Sequence, residues 1–214
     1  MIFTLLGLVN AYNFNLCVVG SKSGLGQELI YQGLEENINV LGLSKYNMKV
    51  MVPYRGGGLD WKNTFEYIEN RKLQTDIYEN HYKYTYENIV FTTSGKPFED
   101  DYSAKLTQMI LFEQEQNLKN IVLISAFGAG ESLKDANIGI KLMNSWYLSS
   151  VYDSKNAQED ILHKYKEKYP DVNLIIIRPE VLSYGKSIYA SKSRERLAKE
   201  IIDNVIINNN ILII

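Results

Sequence analysis

Five short stretches of this sequence are almost wholly apolar: residues 14–19 (FNLCVV), 39–43 (NVLGL), 88–92 (NIVFT), 120–125 (NIVLIS) and 173–177 (NLIII). A strand with one wet face alternates apolar and polar residues. Unbroken apolar runs of this length suit strands covered on both faces, which is the situation in a parallel sheet. Longer segments at helical spacing separate them, predicting helices over residues 25–34, about 102–118, about 142–168 with a break near Ser149 and Ser150, and about 193–207, where Leu197, Ile201 and Val205 share a face. A weaker third strand is expected around residues 50–52 and a short final one at residues 211–214. The fold class is therefore α/β: a doubly wound parallel sheet in three layers, with ligands expected at the carboxyl ends of the strands.

The first strand runs directly into Gly20-Ser21-Lys22-Ser23-Gly24-Leu25-Gly26 and then a helix. In that context each glycine has a physical reason. The first permits a sharp turn, the second lets backbone approach a pyrophosphate, and the third allows close helix–strand packing. Helix amides then point at the phosphates. A glycine turn without a ligand is the competing reading. A phosphate loop of the lysine-serine type does not fit, because Gln27 and Glu28 follow Gly26. The layout predicts an NAD(P)-binding Rossmann domain over residues 14–214.

Cofactor choice is read one strand later. An NAD site places an acid there for the ribose hydroxyls. No acidic residue stands between Asn37 and Leu59, whereas Ser44 and Lys45 follow the second strand, with Lys49 and Arg55 nearby. A hydroxyl and a cation suit a 2′-phosphate, so NADP is expected, with NAD the alternative. Lys45 as a solvated loop charge remains open.

The totals exclude several classes. A net charge of −2 over 214 residues gives no basic stripe for nucleic acid. Cys17 is the only cysteine, which rules out an intrachain disulfide and thiolate metal sites, and its apolar surroundings suit a buried thiol. His81 and His163 are far apart without partners at ligand spacing, so no metal site is expected. No segment reaches membrane-spanning length. Residues 1–13 read as an apolar extension or as a signal or targeting segment. A cytoplasmic location is expected, or a secretory or organellar one if residues 1–11 are a targeting segment. Oligomeric state is left open, a monomer included. The tyrosine-rich stretch over residues 61–88 reads as a surface segment packing on its own rings, or as a partner face.

Six motifs in order resemble the short-chain dehydrogenase/reductase superfamily, in its atypical NmrA-like and flavin-reductase-like branch. They are the glycine loop, Thr92-Thr93-Ser94-Gly95 at the fourth strand, VLISAFGAGES over residues 122–132, Lys155-Asn156-Ala157-Gln158-Glu159, IRPEVL over residues 177–182 and SRERLA over residues 193–198. The resemblance implies that Gly20 to Gly26 with Thr93, Ser94 and Gly95 lie along the dinucleotide. It also implies that Ser125 polarises a substrate oxygen and that Lys155 holds the nicotinamide ribose. The partners would be a dinucleotide and a small acceptor.

The superfamily's tyrosine, four residues before the lysine, is absent: Val151 stands there. Residues four apart share a helix face, so the ammonium would otherwise lower the phenol's pKa. Tyr152 and Tyr147 are the substitutes within reach, with Tyr152 preferred as the acid. Two function classes follow: an NADPH-dependent oxidoreductase acting on a carbonyl, quinone or flavin-like acceptor, or a non-catalytic redox sensor, regulator or assembly factor. The competing readings are that Ser125 bonds its own turn and that Lys155 is a surface lysine. Glu159 is expected to form an i,i+4 ion pair with Lys155. Arg178 and Pro179 are expected to shape the loop after the sixth strand, with Arg178 on a carboxylate.

Overall fold

In the computed structural model, the described residues are 12–47, 49–53, 67–93, 102–112, 118–145, 148–185 and 192–208. Six strands form one parallel sheet: β1 (Tyr12–Val19), β2 (Val40–Ser44), β3 (Leu73–Ile77), β4 (Tyr84–Phe91), β5 (Asn120–Ile124) and β6 (Asn173–Ile177). Their order is β3-β2-β1-β4-β5-β6, so the winding reverses between β1 and β4. In a doubly wound sheet that reversal opens a crevice at the carboxyl ends of those two strands.

Successive side chains of each strand point to opposite faces. Cys17, Val19, Leu41, Leu43, Ile89, Phe91, Ile121 and Leu123 are buried against α2 (Tyr102–Phe112) and α4 (Ser149–Lys168), which bring Leu106, Ile110, Leu162 and Tyr165. Leu16, Val18, Val40, Val90, Val122 and Ile175 face the other way. They meet Leu29 and Ile30 of α1 (Gly24–Glu35) and Leu197 and Ile201 of α5 (Arg194–Ile201). The three-layer α/β/α fold is thus observed, and the apolar runs of the inner strands have the two-sided cover they call for, while at the edge strand β6 Leu174 and Ile176 are only half-buried. Cys17 is fully buried, and burial pushes its thiol pKa well up.

Several expectations need correction. Residues 50–52 make no sheet strand: Met51 forms an isolated antiparallel bridge with Tyr67, while Val50 is buried. The third strand is LQTDI, whose half-exposed edge position tolerates Gln74, Thr75 and Asp76. The tyrosine-rich stretch is not a surface cluster. Tyr78, Tyr84 and Tyr86 enter the core, and Tyr67 and Tyr82 stay exposed. The long helix is interrupted as expected, into α3 (Ile138–Ser145) and α4. After α5 the chain continues as a π-helical turn over Ile202–Ile207. A small two-stranded sheet pairs β7 (Leu182–Ser183) with β8 (Lys192–Ser193), which the sequence did not announce. Ser94, Gly95, Arg55, Tyr147, residues 1–11 and residues 211–214 lie outside the described residues.

Candidate functional site

The glycine loop sits at the reversal point. Gly20 ends β1 with φ +92°, a left-handed conformation that side chains strain to adopt, and a Cβ there would fall 2.6 Å from Thr92 Oγ1. A Cβ on Gly26 would collide with the Gly20 carbonyl oxygen and lie 2.9 Å from Ser23 Oγ. Ser23 is the N-cap of α1, its Oγ accepting from Gly26 N at 2.9 Å and sharing a hydrogen bond with Thr92 Oγ1 at 2.8 Å. Thr92 Oγ1 also lies 3.0 Å from the carbonyls of Val19 and Gly20. The loop is therefore locked to the end of β4, a role for Thr92 that its place within the TTSG motif did not disclose. Thr93 Oγ1 and Ser21 Oγ are buried with no hydrogen-bond partner among the described residues. A glycine loop at a capped helix N-terminus, with two unpartnered hydroxyls close by, has the chemistry to hold a phosphate-bearing ligand, although the Tyr184 ring lies against Gly24. Leu25, by contrast, is buried in the core beneath the loop.

At the end of β2, Ser44 is buried and its Oγ donates to Tyr46 O at 2.7 Å. Lys45 is exposed, its ammonium 5.6 Å and 5.7 Å from the ring centroids of Tyr46 and Tyr102. Lys22 donates to the Lys49 carbonyl, and partial burial lowers its pKa to about 8. Three lysines thus stand near the end of β2 and the loop, Lys49 pairing with Glu69 at 3.5 Å, and no acidic residue occurs within residues 40–53.

Lys155 is not a surface lysine. It is 3% exposed, and its Nζ donates to Thr93 O at 2.5 Å, Ile124 O at 2.8 Å and Gln158 Oε1 at 3.2 Å. It ties together the carboxyl ends of β4 and β5. Its three donors all point at the protein. The expected ion pair with Glu159 is corrected. Glu159 instead takes Arg178 at 2.7 Å (Nη2 to Oε2) and 3.1 Å (Nε to Oε1), and accepts from Ser125 Oγ at 2.6 Å. A planar guanidinium fits a carboxylate at two points, and an ammonium does not. Ser125 therefore gives its proton to Glu159 rather than to its own turn. Gly130 (φ +52°) leaves room for this pair, since a Cβ there would strike Glu159 Oε2 and lie 3.1 Å from Arg178 Nη2.

Burial pushes the Lys155 pKa down to about 7, with the Glu159 charge opposing part of that shift. The unfolded chain then holds a proton on this lysine that the folded chain has lost between pH 7 and about 10, so stability rises with pH there. From pH 7 to pH 9 the gain is about 2 kcal/mol. Above about pH 9 the buried Cys17 thiol acts in the opposite direction. Urea denaturation of the wild type should show this rise relative to Lys155→Met; parallel curves for the two proteins would refute it.

Tyr152 is mostly buried, and its hydroxyl donates to Phe127 O at 3.2 Å. Its ring packs against Gly128 under the turn after β5. The structure brings it to neither Ser125 nor Lys155 by a hydrogen bond. Two clefts flank Arg178 on the β6 side. The larger, about 690 Å³, includes Gly130, Asn156, Glu159 and His163, and the smaller, about 440 Å³, includes Phe127, Ser132 and Lys192. His163 is exposed, whereas His81 is buried with Nδ1 3.0 Å from Tyr78 O. Among the described residues there is no group of three potential metal ligands, and no helix is long and apolar enough to cross a membrane.

No family model and no curated protein matches the sequence. Solved structures do match in fold. The anaerobilin reductase ChuY from Escherichia coli O157:H7 superposes with a TM-score of 0.56 at 14% identity, over 88% of this chain and 89% of that one. Yeast methylglyoxal/isovaleraldehyde reductase Gre2, complexed with NADPH, gives 0.52 at 12% identity, over 78% of this chain. The Bordetella bronchiseptica enzyme WbmH, in complex with NAD+, gives 0.53 at 14% identity, over 80% of this chain. The chain spans only 58% of Gre2 and 57% of WbmH. At these identities the likeness shows a shared Rossmann-type α/β fold.

Proposed function

We propose that this chain is an atypical short-chain dehydrogenase/reductase that binds NADP(H) on the Gly20–Gly26 loop and reduces a small carbonyl, quinone or flavin-like acceptor. The observation that carries this reading is the cradle itself: a capped helix N-terminus whose Gly20 and Gly26 leave no room for a Cβ, set at the carboxyl ends of the adjacent strands β1 and β4, where the winding reverses. The reductase names of ChuY and Gre2, and the dinucleotides bound to Gre2 and WbmH, agree with it. In this reading Ser21, Lys22, Ser23, Gly24, Thr93, Ser94 and Gly95 border the dinucleotide. Ser44 and Lys45 take the 2′-phosphate, for which the absence of a carboxylate after β2 argues.

The dinucleotide supplies a hydride to the acceptor. Lys155 fixes the ends of β4 and β5 against which the nicotinamide half would lie, and reaches its ribose only by exchanging one of its three protein acceptors. Arg178 and Glu159 keep Ser125 oriented at the end of β5. With the Tyr152 proton committed to the Phe127 carbonyl, the described residues offer no aligned phenol acid. That favours acceptors that draw a proton from water once reduced, such as quinones and flavins.

The same two observations favour the second reading, a dinucleotide-binding sensor without turnover: Lys155 is saturated and Tyr152 is turned to the backbone. NADPH oxidation against a panel of quinones, flavins and small aldehydes separates them. Turnover with a quinone or flavin, and little with aldehydes, is the expected result. Saturable NADPH binding with no turnover on any acceptor refutes the enzyme reading and leaves the sensor.

A further inference from the structure

Tyr184 lies directly on Gly24. A Cβ built on that glycine would fall 2.5 Å from the tyrosine hydroxyl oxygen and 2.8 Å and 2.9 Å from its Cε1 and Cζ. Gly24 is the middle glycine of the loop and the first residue of α1. The absence of a side chain there, which opens the backbone to a pyrophosphate in the proposed function, is at present used by a phenol ring.

Arg194 stacks over that ring. Its guanidinium carbon is 4.1 Å from the ring centroid, and Nη1 donates to Leu182 O at 2.5 Å. Among the described residues it has no carboxylate partner, and burial lowers its pKa. Tyr184 follows β7, and Arg194 follows β8. Those strands pair at Leu182 with Lys192 and at Ser183 with Ser193, so the stack is held in register by backbone. A partly buried guanidinium that, among the described residues, meets a ring and a carbonyl but no carboxylate gains from an anion, and phosphate suits its planar fork.

We propose, building on the dinucleotide-binding function above, that Tyr184 and a ligand pyrophosphate exchange places on Gly24. Binding displaces the ring, and Arg194 trades its ring partner for the phosphate charge. The stack thus keeps Gly24 covered and makes phosphate recognition depend on residues distant in sequence from the loop.

Calorimetric titration with NADPH tests this in the wild type and in Tyr184→Ala, Tyr184→Phe, Arg194→Ala and Arg194→Lys. Removing the ring removes the competitor, so Tyr184→Ala should bind about 3- to 10-fold more tightly, and Tyr184→Phe, which keeps the ring, close to wild type. Arg194→Ala should bind about 10-fold more weakly or worse, with Arg194→Lys between it and wild type. In stopped-flow mixing the wild-type binding rate should level off with ligand concentration as ring departure becomes limiting, and in Tyr184→Ala it should stay linear. If Tyr184→Ala melts with a broadened transition, Tyr184→Val, which suits an extended segment, takes its place. Weaker binding by the ring-less variant, or unchanged binding by Arg194→Ala, overturns the exchange while the dinucleotide reading stands. Absence of NADPH binding in every folded protein overturns both.

Discussion

Replacing Gly26 with alanine should abolish NADPH binding and lower the melting temperature by about 6–12 °C, the equivalent of about 3 kcal/mol in a chain of this size. Alanine is ordinarily the better helix residue by about 1 kcal/mol. Here sterics win. The new methyl group would press on the Gly20 carbonyl oxygen, a backbone atom held between β1 and α1, and on the capping hydroxyl of Ser23. Relief requires moving the loop away from Thr92, which dismantles the cradle. Gly33→Ala is the internal control. Its Cβ would meet only side-chain ends of Val40, Leu16 and Ile202, the nearest at 3.1 Å. That variant should keep wild-type binding and lose less than about 1 kcal/mol, because helix propensity offsets the crowding. Thermal melts and titrations on the pair decide it; equal behaviour of the two variants contradicts the steric argument.

The second large effect is expected at Glu159. Truncation to alanine strips the acceptor from a guanidinium and from Ser125 at once, and the abandoned Arg178 is three-quarters buried. Breaking a buried pair from one side costs about 3–5 kcal/mol, and the partial exposure of Arg178 puts this case near 3. Glu159→Gln keeps the shape and one acceptor oxygen, so about half of that loss is expected. Removing both partners in Glu159→Ala with Arg178→Met should recover part of the loss, since no charge is left unpaired. Urea denaturation of the wild type, Glu159→Ala, Arg178→Met and the double variant measures the coupling. Strict additivity would mean that the pair is not an energetic unit.

The fold was legible where residues are buried on both sides of the sheet. NIVLI is an almost unbroken apolar run because β5 is buried on both faces, and the glycine loop announced the turn between β1 and α1; NLIII reads the same way although β6 is an edge strand with Leu174 and Ile176 only half-buried. LQTDI was not legible, because an edge strand with half-exposed side chains need not be apolar. Tyr78, Tyr84 and Tyr86 misled for the opposite reason: a tyrosine body is core material when its ring packs, whatever its hydroxyl suggests.

The site was half legible. Residue types at the ends of β1, β2, β4 and β5 followed from local spacing. Partnerships across elements did not. The i,i+4 rule pointed Glu159 to Lys155, yet Lys155 turns inward to strand-end carbonyls and Arg178 arrives from the end of β6. Nothing in the spacing of Tyr184 and Arg194 to Gly24 could reveal their stack, since 160 residues of winding bring them together.

Everything functional rests on the loop as a dinucleotide cradle, and a calorimetric titration of the full chain with NADPH and NADH, repeated on Gly26→Ala, tests it most directly. One saturable site per chain for NADPH, weaker for NADH and lost in the folded Gly26→Ala protein, is the expected result. No heat of binding from either dinucleotide to the folded wild type, or equal binding by Gly26→Ala, contradicts it.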